Sequence, residues 1–360
     1  MAIIGTGLIG GSIALGVRAT DPDVAVVGFD AAPGVVDRAR GRDAVTDVAG
    51  SPEEAAAGAN LIVLAVPVDQ IPGICDALKT AVEPGAVVTD VGSAKGRVVA
   101  AGEAACGGRF VGGHPMAGSE LHGIEAADGR LFEGAPWILT PTETTSSHAY
   151  SRVAEMVGGL GAKPVALDPA AHDALLARLS HVPQLVASAL VGLATASGEG
   201  DALLSLAAGG FRDVTRIAAS NPDLWVAILH SNRTAVLQGL QGLGGELDAV
   251  AAMLEGARWD DLREWLNDAR TARIEVFAKP DYGGEPVALT MLIPDRPGVL
   301  AEVTTAAGQL GANLEDIEIF HSTEGGSGRL ELVVAGRDQA EKLARALTDL
   351  GYVVERGVIE

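Results

Sequence analysis

A glycine-rich turn between an apolar strand and an apolar helix limits the fold of this chain more than any other feature. The strand is predicted over Ala2–Ile4 and the helix over Ser12–Ala19, the context in which a G-x-G-x-x-G turn binds the pyrophosphate of a dinucleotide. The first glycine permits the tight turn, the second lets the backbone approach the pyrophosphate, and the third allows close packing of helix and strand. The turn residues predicted to contact this cofactor are Gly5, Thr6, Gly7, Leu8, Ile9 and Gly10.

The residue after the second predicted strand indicates which dinucleotide binds. This strand, Val24–Phe29, is followed by Asp30, twenty residues beyond Gly10. A carboxylate at this position accepts hydrogen bonds from the adenine ribose and would repel a 2′-phosphate. Alanines occupy positions 31 and 32, so no arginine directly follows Asp30 to receive such a phosphate. The sequence therefore predicts NAD, rather than NADP, as the cofactor.

Short apolar runs and helical stretches alternate through the first half of the chain, which is typical of a parallel sheet with crossover helices. Open parallel sheets bind ligands at the carboxyl ends of their strands. Val66 and Pro67, at the end of one apolar run, are therefore expected beside the cofactor. The same rule places the loops after the predicted strands Val87–Asp90 and Phe110–Gly112 at the cleft. Residues 1–168 are predicted to form a Rossmann-like NAD-binding domain.

Two further regions follow this α/β domain. From 169 to 278, Ala/Leu-rich helical segments replace the strands. Their apolar content exceeds what single amphipathic helices need, which indicates packing against a second subunit or a large internal core. A polar linker with Pro and Gly then leads to residues 287–360, where the predicted order of elements is βαββαβ, a small ferredoxin-like module. The expected architecture is an α/β domain, an all-α domain and a ferredoxin-like domain.

Charge and composition exclude several classes of partner. The net charge of −21 argues against nucleic acid, because phosphate binding needs clustered lysines and arginines. It also disfavours an anionic membrane surface, and the alanine-rich stretch Val182–Ala196 is too short to span a bilayer. We therefore expect a cytoplasmic protein that binds a small molecule. No two histidines have the spacing of metal ligands, so no metal site is expected.

Two histidines and two arginines are candidates for the reacting end of the site. His114 lies in the glycine-rich loop Gly112–Glu120 beside the predicted cleft, where it can take a proton from a substrate hydroxyl or merely brace the loop. His181 precedes the long apolar helices, and a site role and a structural role both stay open. Arg212 and Arg216 would share one helix face and suit a substrate carboxylate. A salt bridge to a nearby aspartate is the alternative.

Several motifs coincide in order, and through them the chain resembles the prephenate dehydrogenase family over residues 1 to about 278. The combination of HPMAGSE with FRDVTR is highly specific. Residues 287–360 resemble an ACT domain, with the turn IPDRPGVL before the first helix. The family motifs are GTGLIGGS (5–12), LAVPV (64–68), TDVGSAKG (89–96), GGHPMAGSE (112–120), LSHVPQ (179–184) and GGFRDVTRIAASNPDLW (209–225).

This resemblance implies the oxidative decarboxylation of prephenate to 4-hydroxyphenylpyruvate, a step of tyrosine biosynthesis in which NAD⁺ accepts a hydride. It implies that His114 draws the proton from the ring hydroxyl and that Ser93 orients this histidine. The residues implied on the substrate side are Arg216, which would hold a carboxylate, together with His181, Glu120 and Arg212.

The resemblance also implies a homodimer formed through the helical domain and an ACT domain that binds an amino acid. Tyrosine is the economical choice of effector, because it is the product of the pathway. An ACT domain that only assists dimer formation is the alternative. The residues implied in effector binding are Asp295, Gly298, Val299, Leu300 and Asn313.

Three other functions stay open. An arogenate dehydrogenase performs the same chemistry on the amino-acid form of the side chain and shares the matched motifs. A 3-hydroxyacid dehydrogenase would need a catalytic lysine in its helical domain, and residues 169–278 contain no lysine, which weighs against it. A metabolite sensor would use NAD and the C-terminal module without forming NADH.

Overall fold

The computed structural model describes residues 1–117, 123–196, 209–277, 286–294, 296, 298–321 and 327–358. The chain divides into two compact units, Met1–Ala252 and Met253–Glu360. This division does not test the predicted domain boundaries 1–168, 169–278 and 287–360, which stay predictions.

The first unit is built around an eight-stranded sheet. Its strands are β1 (Ala2–Ile4), β2 (Val27–Phe29), β3 (Asp47–Val48), β4 (Leu61–Leu64), β5 (Val87–Asp90), β6 (Phe110–Pro115), β7 (Pro136–Thr140) and β8 (Lys163–Ala166). Their order across the sheet is β3-β2-β1-β4-β5-β6-β7-β8. Neighbouring strands are parallel except β6 and β7, which are antiparallel. The strand order reverses at β1, so the crevice for a dinucleotide opens at the carboxyl ends of β1 and β4.

Helices cover both faces of this sheet. They are α1 (Leu8–Thr20), α2 (Val35–Gly41), α3 (Pro52–Ala56), α4 (Ile71–Leu78), α5 (Gly96–Cys106) and α6 (Ser147–Gly159), with 3-10 turns at Gly107–Arg109 and Ile124–Ala126. Ile3 of β1 packs with α1, α2 and α6, whereas Ala2 and Ile4 pack with α3, α4 and α5. Burial on both faces explains why the central strands read as unbroken apolar runs. The predicted Rossmann-like parallel sheet is confirmed.

A helical region follows the sheet. Its helices are α7 (Pro169–Leu176), a π turn (Ala177–His181), α8 (Val182–Thr195), α9 (Gly209–Thr215), a 3-10 turn (Arg216–Ala219), α10 (Pro222–Ser231), α11 (Arg233–Glu255) and α12 (Trp259–Phe277). Two of these helices have side-chain caps. Asp168 accepts hydrogen bonds from the first free amides of α7, and Asn221 does so for α10, each with a proline in the first turn. The predicted all-α region is confirmed.

The continuous run Pro169–Thr195 is longer than the apolar stretch read from the sequence. At 27 residues it is long and apolar enough to cross a membrane by length and composition alone. Core helices of soluble proteins pass the same test, and the buried face of this run carries His172, Asp173 and His181. Buried ionisable groups on this face point to a site within the protein.

The C-terminal part of the second unit is a four-stranded antiparallel sheet with two helices. The elements are β9 (Pro286–Pro294), α13 (Val299–Gln309), β10 (Leu314–His321), β11 (Ser327–Ala335), α14 (Arg337–Asp349) and β12 (Val354–Val358). The strand order is β10-β11-β9-β12, and both helices contribute to a common core with β9 and β11. The predicted βαββαβ module is confirmed.

Candidate active site

The glycine-rich turn joins β1 to α1 at the crevice. Gly5 has a φ of +92°, and a Cβ built there would lie 2.2 Å from the carbonyl oxygen of Ala65. A Cβ on Gly10 would lie 1.9 Å from the carbonyl oxygen of Gly5. Both glycines are therefore required by the backbone of the protein itself. At Gly7 no described protein atom lies within 4 Å of such a Cβ, which leaves open space above the turn for a ligand.

Asp30 is fixed next to this turn by three hydrogen bonds. One carboxylate oxygen accepts from the amide of Thr6 at 2.8 Å and from its hydroxyl at 3.4 Å, and the other accepts from the amide of Ala32 at 2.9 Å. The oxygen that accepts only from Ala32 keeps further acceptor capacity for a ribose hydroxyl. Gly7 caps α1 without a side-chain hydrogen bond, so the first amides of the helix are available to a pyrophosphate. These residues fit a dinucleotide cofactor.

The remaining residues predicted at the cofactor lie around the same turn. Leu8 and Ile9 form the half-buried start of α1. A Cβ on Gly5 would lie 3.0 Å from a methyl of Val66, so this side chain lies against the turn. Pro67 is exposed beyond the carboxyl end of β4.

His114 lies in a strand and not in a loop, which corrects the sequence prediction. The predicted strand ends at Gly112, whereas β6 continues to Pro115. The extension pairs with β7, where His114 stands opposite Ile138. A run of glycine, histidine and proline has little strand propensity of its own, so the neighbouring strand decides this conformation. His114 is 8% exposed and is held by regular structure on both sides.

The imidazole of His114 belongs to a buried chain of three side chains that the sequence did not assign. Its Nδ1 lies 2.9 Å from Nε2 of His172, and Nδ1 of His172 lies 2.9 Å from Oδ1 of Asp173. The carboxylate of Asp173 also accepts from the amides of Lys95 at 2.7 Å and Gly96 at 2.8 Å. This series of hydrogen bonds links His114 on β6, through His172 and Asp173 on α7, to the backbone at the start of α5.

Burial and hydrogen bonding determine the protonation states of His114 and Asp173. It lowers the pKa of His114 well below 6.5, and nearby Lys95, His172 and His181 lower that pKa further. His114 is therefore a neutral imidazole at neutral pH. Burial raises the pKa of the Asp173 carboxyl, but its hydrogen bonds outweigh that effect and bring the pKa below the usual value. Asp173 is therefore an ionised acceptor.

His181 is a second buried imidazole near this chain. Its Nδ1 lies 3.2 Å from the side-chain nitrogen of Asn232, which also donates to the backbone carbonyl of Asp173 at 2.8 Å. Its ring packs edge-on against Trp225 with 6.0 Å between the ring centres. Burial lowers its pKa to about 4, although Asp173 opposes this shift. His181 is therefore also neutral at neutral pH.

The π turn brings His172 and His181 toward the same side. They are nine residues apart, which in a regular α-helix gives an angle of about 180° between their side chains. A π turn inserts about one extra residue into the helical register and removes about 100° of that angle. Ala177–His181 is such a turn.

A buried ion pair fixes the backbone just before His114. Lys95 and Asp90 are paired, and both side chains are fully buried. Lys95 donates to the carbonyl of Gly113 at 2.7 Å, and Asp90 accepts from the amides of Gly113 at 3.1 Å and Gly92 at 2.8 Å. Burial lowers the pKa of the Lys95 ammonium, and Asp90 opposes that shift. Both polar groups of the Gly113 backbone are thus held by this pair.

The structure describes three of the four other residues predicted on the substrate side. Ser93 is half-buried in the loop between β5 and α5. Arg212 lies in α9 and Arg216 begins the following 3-10 turn, and both side chains are exposed. Glu120 lies outside the described residues. In the part of the chain that the structure describes, the buried side-chain oxygen of Gln184, within the LSHVPQ motif, has no hydrogen-bond partner.

The residues predicted to bind an effector lie at the start of α13 and before β10. Gly298 caps α13 with a φ of +92°, Val299 is buried in the core and Leu300 is 41% exposed. The backbone carbonyl of Asn313 accepts from the amide of Ala335 at 3.1 Å. Asp295 lies outside the described residues.

Three family models match this chain. Residues 13–166 match the nucleotide-binding domain of prephenate dehydrogenase, residues 168–268 match its dimerization domain, and residues 287–352 match the ACT domain. The first match begins within α1 and contains His114, and the second contains the whole α7–α8 run. The ferredoxin-like module is thus an ACT domain.

Relatives and solved structures agree with these matches. The prephenate dehydrogenase of Bacillus subtilis is 31% identical over 96% of this chain and 94% of its own length. The Aquifex aeolicus prephenate dehydrogenase in complex with hydroxyphenyl propionate and NAD⁺ is 30% identical, with a TM-score of 0.68 over 76% of this chain and 97% of that one. Synechocystis arogenate dehydrogenase is 30% identical, with a TM-score of 0.68 over 76% and 99%. The chain belongs to the prephenate dehydrogenase family.

Proposed function

We propose that this chain is an NAD-dependent oxidoreductase that converts prephenate to 4-hydroxyphenylpyruvate and carbon dioxide, with His114 as its base. The observation that carries the proposal is a buried, neutral histidine near the carboxyl end of β6. This strand runs parallel to β5, the neighbour of β4, so His114 lies at the same edge of the sheet as the dinucleotide crevice. A neutral imidazole is the form that accepts a proton. The family to which the chain belongs, and the fixed carboxylate of Asp30 beside the turn, support NAD as the cofactor.

The protein has one proton to manage in this reaction. Bound NAD⁺ supplies the acceptor for the hydride that leaves the hydroxyl-bearing ring carbon. His114 takes the hydroxyl proton as that carbon gains carbonyl character. The bond to the ring carboxylate then breaks, carbon dioxide leaves, and the electron pair of that bond makes the ring aromatic. His114 returns its proton to the phenolic oxygen, so no net proton is released.

The remaining site residues would bind and orient the substrate. A neutral His181 contributes a hydrogen bond rather than a charge. Arg216 would hold a substrate carboxylate through its guanidinium fork. The other contacts that we propose are Ser93 beside His114, and Glu120 and Arg212 at the edge of the pocket.

NADH formation measured with prephenate and with arogenate tests this proposal. We expect NADH and carbon dioxide to form in equal amounts with prephenate, and a much lower kcat/KM with arogenate. Arogenate is the competing substrate because the Synechocystis enzyme of similar fold is an arogenate dehydrogenase. NADH formed only with arogenate would reassign the substrate. NADH formed with neither would refute the proposed activity.

We further propose that the protein is a cytoplasmic homodimer assembled through its helical region and that its ACT domain binds tyrosine. The match of residues 168–268 to a dimerization domain supports the first part, and the ACT match supports the second. A ligand that binds only the folded state raises stability. Tyrosine should therefore raise the thermal midpoint of the full chain, while phenylalanine and tryptophan at equal concentration should raise it less. Equal or absent shifts with all three would leave the ACT domain a structural role only.

A further inference from the structure

We propose that His172, Asp173 and Asn232 are positioning residues that lock His114 and His181 in opposite tautomers. In this arrangement His114 keeps a lone pair on Nε2, and His181 carries its hydrogen on Nε2. The catalytic meaning of the inference rests on the proposed function, but the tautomers themselves belong to the free protein.

The tautomer of His114 follows from the ionised end of its chain. Asp173 is a carboxylate and can only accept, so Nδ1 of His172, at 2.9 Å, must carry a hydrogen. With that hydrogen on Nδ1 of His172, its Nε2 is the acceptor of the pair, and Nδ1 of His114 donates to it at 2.9 Å. His114 therefore carries its hydrogen on Nδ1, which leaves the lone pair on Nε2 as its basic site.

The tautomer of His181 follows from a donor instead of an acceptor. The side-chain nitrogen of Asn232 donates to the carbonyl oxygen of Asp173, which accepts only, and this contact fixes the orientation of the amide. The same nitrogen points its second hydrogen at Nδ1 of His181 at 3.2 Å. Nδ1 of His181 is therefore the acceptor, and its hydrogen lies on Nε2.

Asp173 is the common origin of both assignments. Its carboxylate sets the direction of the His172–His114 bonds, and its backbone carbonyl sets the direction of the Asn232–His181 bond. Amides at the start of α5 hold the carboxylate at 2.7 and 2.8 Å. In a largely buried network, reversing one of these bonds would leave a donor or acceptor without its partner, which costs free energy.

The two tautomers give the site one hydrogen-bond acceptor and one donor for the substrate. A substrate hydroxyl needs an acceptor for its proton, which Nε2 of His114 supplies. A substrate oxygen needs a donor, which Nε2 of His181 supplies. When His114 takes up a proton on Nε2, the imidazolium still donates from Nδ1 to His172, and the negative charge of the Asp173 carboxylate at the far end of these bonds stabilises it. If His172 carried its hydrogen on Nε2 instead, it would donate to Nδ1 of His114. The hydrogen of His114 would then lie on Nε2, which could no longer accept a proton.

Nitrogen NMR of the free, full-length protein labelled with ¹⁵N-histidine tests the tautomers directly at neutral pH. His114→Asn and His181→Asn identify the two sets of signals among the seven histidines. We expect a protonated Nδ1 and an unprotonated Nε2 for His114, and the reverse for His181. A protonated Nε2 on His114, or the same tautomer for both, would overturn the proposal. This result does not depend on whether the protein oxidises prephenate.

Kinetics of two His172 variants test the positioning role. His172→Phe keeps an aromatic ring but makes neither bond, and we expect kcat to fall by about 10²-fold with little change in KM. In His172→Gln the amide oxygen can accept from His114 and the amide nitrogen can donate to Asp173, so most of kcat should return. Unchanged kcat in His172→Phe, or equal losses of kcat in both variants, would show that the direction of the His172 hydrogen bonds does not contribute to catalysis.

Discussion

Replacement of His114 by asparagine is expected to lower kcat for NADH formation by about 10²–10⁴-fold, the contribution of a positioned general base. The asparagine nitrogen can still donate to His172 in place of Nδ1, so the buried chain keeps its hydrogen bond. No lone pair then remains where Nε2 of His114 stood. KM for NAD⁺ should change little, because the glycine-rich turn and Asp30 are untouched. Steady-state kinetics with prephenate measure both values.

His148→Asn is the matched control, since it removes an exposed histidine on the outside of α6 and should leave kcat unchanged. The pH profile of the natural protein gives an independent check. Because the pKa of His114 lies well below 6.5, kcat should not fall as the pH drops from 8 to 6.5. Near-normal turnover by His114→Asn would eliminate His114 as the base.

Replacement of Lys95 by methionine is expected to lower the free energy of unfolding of the first unit by about 3–5 kcal/mol, the cost of removing one partner of a buried ion pair. Methionine fills the space of the lysine stem but leaves the Asp90 carboxylate buried without its cation. The carbonyl of Gly113 also loses its donor. Urea unfolding followed by tryptophan fluorescence, to which buried Trp137 contributes, measures the change.

The double variant Lys95→Met/Asp90→Asn separates the charge from the packing. It removes the uncompensated carboxylate, while the asparagine oxygen still accepts from the backbone. We therefore expect it to recover part of the lost stability. Lys79→Met, at an exposed position after α4, is the neutral control. If the double variant were less stable than Lys95→Met, the unpaired charge could not be the cause of the loss.

Local sequence patterns were sufficient to predict most of the fold. Gly5 and Gly10 are required because a Cβ at either would collide with backbone atoms, and the central strands are apolar because both faces are buried. Strands β3 and β8 were missed for a physical reason. They lie at the two edges of the sheet, where burial no longer selects apolar residues, and all four residues of β8 are exposed.

Local sequence patterns predicted only part of the candidate site. Asp90 and Lys95 stand within the TDVGSAKG motif, so a signal for them existed, although nothing in the motif shows that they pair. His172 and Asp173 are adjacent at the start of a helical region, where such a pair is usually exposed. Asn232 has no motif at all. Its role depends on the junction between α10 and α11 lying beside Asp173 of α7, which is 59 residues away in the sequence.

The sequence by itself determined the cofactor, the family and the order of the three folded regions, because each follows from residues close together in the chain. Only the tertiary structure decided the state of His114. Pairing with β7 turned a predicted loop into a buried strand, and the π turn brought His172 and His181 toward the same side of the helical run. Burial then made both histidines neutral, and the carboxylate of Asp173 gave their hydrogen bonds a direction. Protonation and tautomer depend on what surrounds a side chain in space, which no local pattern of residues records.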